Sequence, residues 1–135
     1  MPAWTIRCFR SERGRDLFLD EYRSQTVNAR AMFRATVNVL RDQPDIQGWS
    51  RVNGFDRLTG KKYRRYRGVG KLLVRADGVQ HRPLGFFGPY DRTFTLLVWA
   101  TERDWTFYPP NVLDTALDRM NTVKRNPERA GEFHL

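Results

Sequence analysis

The sequence predicts a small α+β domain, a mainly antiparallel sheet packed against helices, and three observations carry that prediction. Segments alternating with period 2 lie on both sides of two segments of helical period. An Asp77-Gly78 pair marks a tight hairpin turn, because both positions of such a turn need positive φ. The length, 135 residues at roughly 150 per domain, leaves room for one core. Hydrophobic residues at 40% and aromatics at 13% supply the apolar mass for that core and argue against intrinsic disorder.

Trp4, Ile6 and Cys8 alternate with Thr5, Arg7 and Phe9, which predicts a first strand over 3–9. Between Arg15 and Arg23, Leu17, Phe18 and Tyr22 fall within helical reach of one another, and Ser11 is a candidate cap on the approach. Ala29, Met32, Phe33, Thr36 and Leu40 then repeat at helical spacing while Arg30, Arg34 and Arg41 fall largely elsewhere. This predicts a second helix over about 27–42, stopped before Pro44, with the helix pair laying its apolar stripe on a sheet. Residues 44–70 break the pattern, punctuated by glycines 48, 54, 60, 68 and 70, and read as a long functional or mobile loop.

Lys71–Ala76 predicts a strand, and after Asp77-Gly78 a second strand returns from Val79 to about Phe87. In that register Ala76 faces Val79 and Arg75 faces Gln80, so Arg75 and Arg82 share one face and His81 points away. Pro83 cannot donate to a ladder and marks a bulge or an unpaired edge. Gly88-Pro89-Tyr90-Asp91 makes a turn, and Phe94, Leu96, Val98 and Ala100 alternate with Thr95, Leu97 and Trp99 in an apolar, central strand. After Pro109-Pro110, Val112, Leu113, Ala116, Leu117, Met120 and Val123 predict a helix covering one side of the sheet. Asn126-Pro127 ends it, and a short flexible tail follows 126. The predicted order is β-α-α-(basic loop)-β-β-β-α in a single domain over 1–135, without internal repeats.

Charge narrows the function classes. Lys and Arg number 24 against 15 Asp and Glu, a net charge of +9, which favours a polyanionic partner such as nucleic acid or an acidic protein surface over a merely basic exterior. From Arg51 to Arg75 nine basic residues face the single acid Asp56. Tyr63 and Tyr66 interleave with Lys61, Lys62, Arg64, Arg65 and Arg67, a mixture suited to phosphate neutralisation with base stacking, and these cations with Lys71 are the candidate RNA-binding residues. Cys8 is the only cysteine, so neither an intramolecular disulfide nor a cysteine-rich zinc site is available, and a reducing compartment is expected. No apolar run approaches the roughly 18–20 residues of a membrane span, and Met1–Arg10 carries charges where a signal peptide needs an apolar core. The expectation is a soluble, cytoplasmic protein with no membrane partner.

Four motifs occur in a specific order: Lys71-Leu72-Leu73-Val74-Arg75; His81-Arg82-Pro83-Leu84-Gly85-Phe86-Phe87; Phe94-Thr95-Leu96-Leu97; and Pro110 followed by Asp114-Thr115-Ala116-Leu117-Asp118-Arg119. This succession resembles the RelE/ParE superfamily of bacterial toxins, especially its HigB-like and phage-derived branch. The resemblance implies a RelE-like fold and the toxin component of a type II toxin-antitoxin system, held by a cognate antitoxin. It further implies an endoribonuclease that cuts mRNA on the ribosome and inhibits translation, with no metal and no cofactor. In such chemistry the RNA 2′-hydroxyl attacks its own phosphate, so the protein supplies a base, charge for the phosphorane and an acid for the 5′-oxygen. Arginine suits the second task, and by carry-over Arg75 and Arg82 take it, with a surface salt bridge as the other reading of Arg75.

The chain departs from the branch where a lysine pair is usual and has Thr101-Glu102-Arg103-Asp104 instead. Glu102 or Asp104 is then a candidate carboxylate base and Arg103 a candidate phosphate contact, against a structural reading in which the acids pair with neighbouring arginines. His81 is a further candidate acid or base by its ordinary pKa. Tyr90, Tyr108 and His134 could reach a site from turns or the tail, with packing or plain exposure as the alternative for each. Two rival functions stay open: ParE-like inhibition of DNA gyrase on the same fold, and a non-catalytic basic nucleic-acid-binding protein of a phage or mobile element. A relative that has lost its activity is a third.

Overall fold

In a computed structural model, which describes residues 2–133, β7 (Thr93–Val98) is buried at every position, and the other elements are laid around it. Its burial on both faces explains its continuous apolar run. On one side β7 pairs in parallel with β1 (Thr5–Phe9), and on the other it runs antiparallel to β6 (Leu84–Phe87). Beyond β6 lie β3 (Gly70–Leu72) and β2 (Phe55–Arg57), and beyond β1 lies β10 (Ala130–Glu132). The six-stranded sheet therefore runs β10-β1-β7-β6-β3-β2 and is antiparallel except at β1 and β7. A second, four-stranded antiparallel sheet runs β4 (Val74–Ala76), β5 (Val79–His81), β8 (Thr101–Arg103), β9 (Thr106–Tyr108).

Helices cover both faces of the larger sheet. α1 (Leu17–Arg23) packs on β1 and β7, and α3 (Ile46–Arg51) packs on β2. Phe18, Phe33, Trp49, Phe55, Phe94 and Trp99 interlock there as the aromatic heart of one core cluster. On the opposite face α4 (Val112–Arg125) lays Val112, Ala116, Met120 and Val123 over Leu84, Phe86 and Leu97. α2 (Val27–Arg41) reaches the second sheet, where it contacts β4. Thr26 caps it by accepting from the backbone of Ala29, and Asp45 caps α3 by accepting from Gly48.

The α+β class with antiparallel sheets against helices stands, as do the first strand, both early helices, the Asp77-Gly78 turn and the last helix. Asp77 and Gly78 have φ of 56° and 74°, and Arg75 pairs with Gln80 and Ala76 with Val79 as the turn requires. Several expectations are corrected. The segment 44–70 is no structureless loop: it holds α3, β2 and a 3₁₀ turn over Lys61–Tyr66, because Trp49 and Phe55 are buried deeply enough to anchor it. The stretch after 126 is no flexible tail: β10 pairs with β1, and Ala130 is buried against the α4 side of the core. His134 lies outside the described residues. On α2, Met32 faces solvent and Val37 takes the inward position with Ala29, Phe33 and Leu40. Ser11 accepts from the backbone of Arg15 in the turn before α1 and caps no helix residue.

The predicted strands 71–76 and 79–87 each break in two. At Leu73 and at Arg82-Pro83 both arms of the hairpin leave one sheet and join the other. Pro83 supplies no N–H, but its carbonyl accepts from Leu72, while Arg82 N–H donates to Ala100 and Leu73 N–H to Gly54. Backbone polar groups thus stay paired through the corner. Thr101–Tyr108, to which the sequence assigned no element, forms the β8–β9 hairpin, whose short strands gave too few residues for a periodicity to register.

Candidate functional site

The corner where the hairpin changes sheets creates a cleft. Its walls are Asp56 from β2, Lys71 from β3, Gln80 from β5, Arg82 from the corner, Glu102 from β8, and Asp104 and Trp105 from the β8–β9 turn, around about 440 Å³. At its floor Arg82 Nε donates to Glu102 Oε1 at 2.9 Å and Lys71 Nζ donates to the same oxygen at 3.1 Å. All three side chains are largely buried. Burial alone pushes the Glu102 carboxyl upward, but the hydrogen bonds and charges of Arg82 and Lys71 outweigh it and hold the group below its ordinary value, ionised at neutral pH. Arg82 also donates to Gln80 Oε1 and to the His81 carbonyl. Of the guanidinium's five N–H groups, two remain for an incoming anion. Lys71 Nζ lies 5.4 Å from the Phe107 ring centroid, which steers its amine along the cleft wall.

The basic segment borders this cleft. The turn Lys61–Tyr66 docks through Tyr63, which meets Phe107 edge-on at 6.0 Å, and through Tyr66, whose hydroxyl donates to Asp114 at 2.8 Å. Both tyrosines are thus fastened inward, so the base-stacking role expected of them is not the one their placement favours. Arg65 pairs with Asp114 at 3.3 Å, and Lys62 Nζ donates to the Trp105 carbonyl at 2.9 Å. Arg57, Lys61, Arg64 and Arg67 line a neighbouring groove of about 360 Å³. Of the predicted RNA-binding residues, Lys71 belongs to the cleft and the other five to this rim.

The remaining candidates separate. Arg75 is exposed on β4, opposite Gln80, and among the described residues its side chain makes no ion pair or hydrogen bond. Arg103 and Asp104 are exposed and 3.9 Å apart. Both carboxylates line the cleft, but Asp104 stands exposed at its edge and only Glu102 is buried there, paired with Arg82 and Lys71, as the structural reading of that residue expects. His81 is buried on the opposite face, where its Nδ1 accepts from the Trp99 indole at 3.1 Å. Burial depresses its pKa, with the Arg82 charge adding to the effect and Asp77 opposing it, so it stays neutral and serves as an acceptor. Tyr90 stacks with Arg7, and Tyr108 is exposed beside β5.

Two site residues escaped sequence reasoning. Gln80 bridges the Arg75 position to Arg82, and Trp105 stands at the hairpin tip. The second left no local signal, since Asp104-Trp105 forms a two-residue turn and Trp is a poor residue for one. Among the described residues no group of three or more His, Cys, Asp and Glu could hold a metal ion, and no helix is long and apolar enough to cross a membrane. No family model matches the chain, and no curated protein matches it in sequence.

Proposed function

We propose that the chain is a ribonuclease toxin of the RelE/ParE kind, acting on mRNA on the ribosome and restrained by an antitoxin. The observation that supports this most is the cleft where Lys71, Arg82 and Glu102 meet beside a segment carrying five cations in seven residues, Lys61–Arg67. The rim binds the RNA backbone. Lys71 and the free guanidinium protons of Arg82 hold the scissile phosphate and its extra charge in the phosphorane. A carboxylate takes the 2′-hydroxyl proton as the 2′-oxygen bonds to phosphorus, and the 5′-oxygen takes a proton from water as its bond to phosphorus breaks. Glu102 is ionised and stands beside the same cations, which makes it the candidate for that base by position, while the two cations that lower its pKa also weaken it as a base.

One observation favours a second reading. Glu102 is engaged by both cations before any substrate arrives, as a buried structural triad would be, and in that case the cleft binds phosphate without cleaving it. The experiment is controlled expression in a bacterium with mapping of new RNA 5′ ends, wild type against Arg75→Ala and Glu102→Gln. Growth arrest with cuts inside translated messages, lost in Arg75→Ala and in a Glu102→Gln variant that still folds by circular dichroism, supports the ribonuclease. Arrest without cuts turns the assignment to gyrase or another target, and absence of arrest with salt-sensitive RNA binding turns it to the binding module.

A further inference from the structure

The β8–β9 turn presents an unusual residue in an unusual way. Trp105 is 80% exposed, whereas Trp4, Trp49 and Trp99 are 7%, 0% and 6% exposed. Its φ is 64°, with Asp104 at 51°, so a bulky aromatic occupies the left-handed region that two-residue turns ordinarily fill with Gly or Asn. Nothing in the core requires it. A side chain kept in strained backbone and in water is in place for something outside the molecule.

Its surroundings say what. Trp105 lines two cavities: the charged cleft with Lys71, Arg82 and Glu102, and a second of about 260 Å³ with Lys62, Tyr63 and Tyr66. The indole stands on the ridge between them. Lys62 fixes the turn by donating to the Trp105 carbonyl, which also brings an ammonium to the ridge. An anionic ligand with a flat, unpaired ring fits this arrangement: the ring stacks on the indole and the adjoining charges fall to Lys62 on one side and to Lys71 and Arg82 on the other.

We propose that Trp105 is a stacking platform for one unpaired nucleobase of a single-stranded RNA, with the phosphates flanking that base held by Lys62 and by the Lys71/Arg82 cleft. This rests on the reading of the chain as an RNA-contacting protein and adds to it which kind of RNA is taken and where its register is set. Duplex RNA keeps its bases stacked inside the helix and offers no ring to the indole. Stacking on an aromatic is also tolerant of sequence, so Trp105 fixes the position of a nucleotide without choosing its identity.

The exposure contrast supplies the assay. Only Trp105 among the four tryptophans is open to contact, so quenching of intrinsic fluorescence by a short single-stranded oligouridylate reports on that side chain alone. The expected result is saturable quenching by the oligouridylate and none by a blunt RNA duplex of equal length. Because the Trp105 variants lack the reporting indole, their affinity is read from the anisotropy of the same oligouridylate carrying a terminal dye, and it should be about tenfold weaker in Trp105→Ala with Trp105→Phe near wild type. Trp105→Asn accepts the left-handed backbone and guards against a merely broken turn, and it should lose as much affinity as Trp105→Ala. Wild-type affinity in both the Ala and Asn variants, or equal quenching by the duplex, overturns the platform. Oligouridylate binding that depends on Trp105 while no RNA is cut in cells upholds the platform and overturns the ribonuclease. Cutting that persists with Trp105→Asn at wild-type affinity does the reverse. A fluorescence change seen only with an added protein and never with RNA assigns the exposed indole to a protein interface and overturns the platform.

Discussion

Arg82 and Arg75 differ in what their loss costs, although the sequence motif treats them alike. Arg82→Ala leaves Glu102 buried with Lys71 as its one cation, and it should destabilise the protein by about 2–3 kcal/mol, below the full cost of an unpaired buried charge. Arg75→Ala removes an exposed side chain and should stay within about 0.5 kcal/mol, both read from denaturant unfolding. Loss of activity in the Arg75 variant therefore reports on function, whereas the Arg82 variant confounds function with folding. Acid should act through two groups. The His81 pKa is depressed by burial in the folded state, so below its unfolded value of about 6.5 the unfolded chain takes up the proton first and stability falls. Despite burial, its cation partners hold the Glu102 pKa low, so its contribution is whole above its unfolded value of about 4.3 and is lost as pH falls through the folded value. Unfolding free energy measured against pH should show both limbs in wild type, with the upper absent in His81→Gln and the lower in Glu102→Gln.

At the scale of elements, close packing between neighbouring strands gives the sharpest test. A Cβ on Gly85 would stand 2.6 Å from the Thr95 carbonyl oxygen and 2.5 Å from the Phe94 ring, and the backbone of the central strand cannot step aside. Gly85→Ala should cost about 1–3 kcal/mol, seen as a lower Tm with an unchanged m-value if the same state is reached. Elements with a strong period were legible in the sequence: α2, α4, β1 and β7 stand close to where alternation and helical spacing put them. Elements set by distant contacts were not. Trp49 and Phe55 give no local pattern, yet they pull 46–57 into a helix and a strand because Phe94 and Phe87 wait for them in space. Three-residue strands such as β8, β9 and β10 are too short for any periodicity to mark. The candidate site was legible in its charges and not in its pairing: Lys71, Arg82 and Glu102 were each singled out, but only the corner at Leu73 and Pro83 brings them to one oxygen.

Across the whole molecule, nine of the 24 basic residues lie between Arg51 and Arg75, and the proposed binding to RNA should carry the signature of counterion release. The logarithm of the affinity should fall linearly with the logarithm of salt concentration. Charge reversal at Lys61, Lys62, Arg64 and Arg65 should flatten that slope by about one unit for each phosphate that is no longer neutralised, measured by titration at several ionic strengths. The pairing of β1 with β10 has a different reach. Arg7, Cys8 and Phe9 lie opposite Glu132, Gly131 and Ala130, so one edge of the large sheet joins segments separated by almost the entire chain. While residues 130–132 are still inside a ribosome's exit tunnel, β1 has that edge open and the cluster around Phe9 lacks Ala130. At about 5–20 residues per second the earlier strands emerge well before their last partner, so the sheet waits with that edge open until residues 130–132 have emerged.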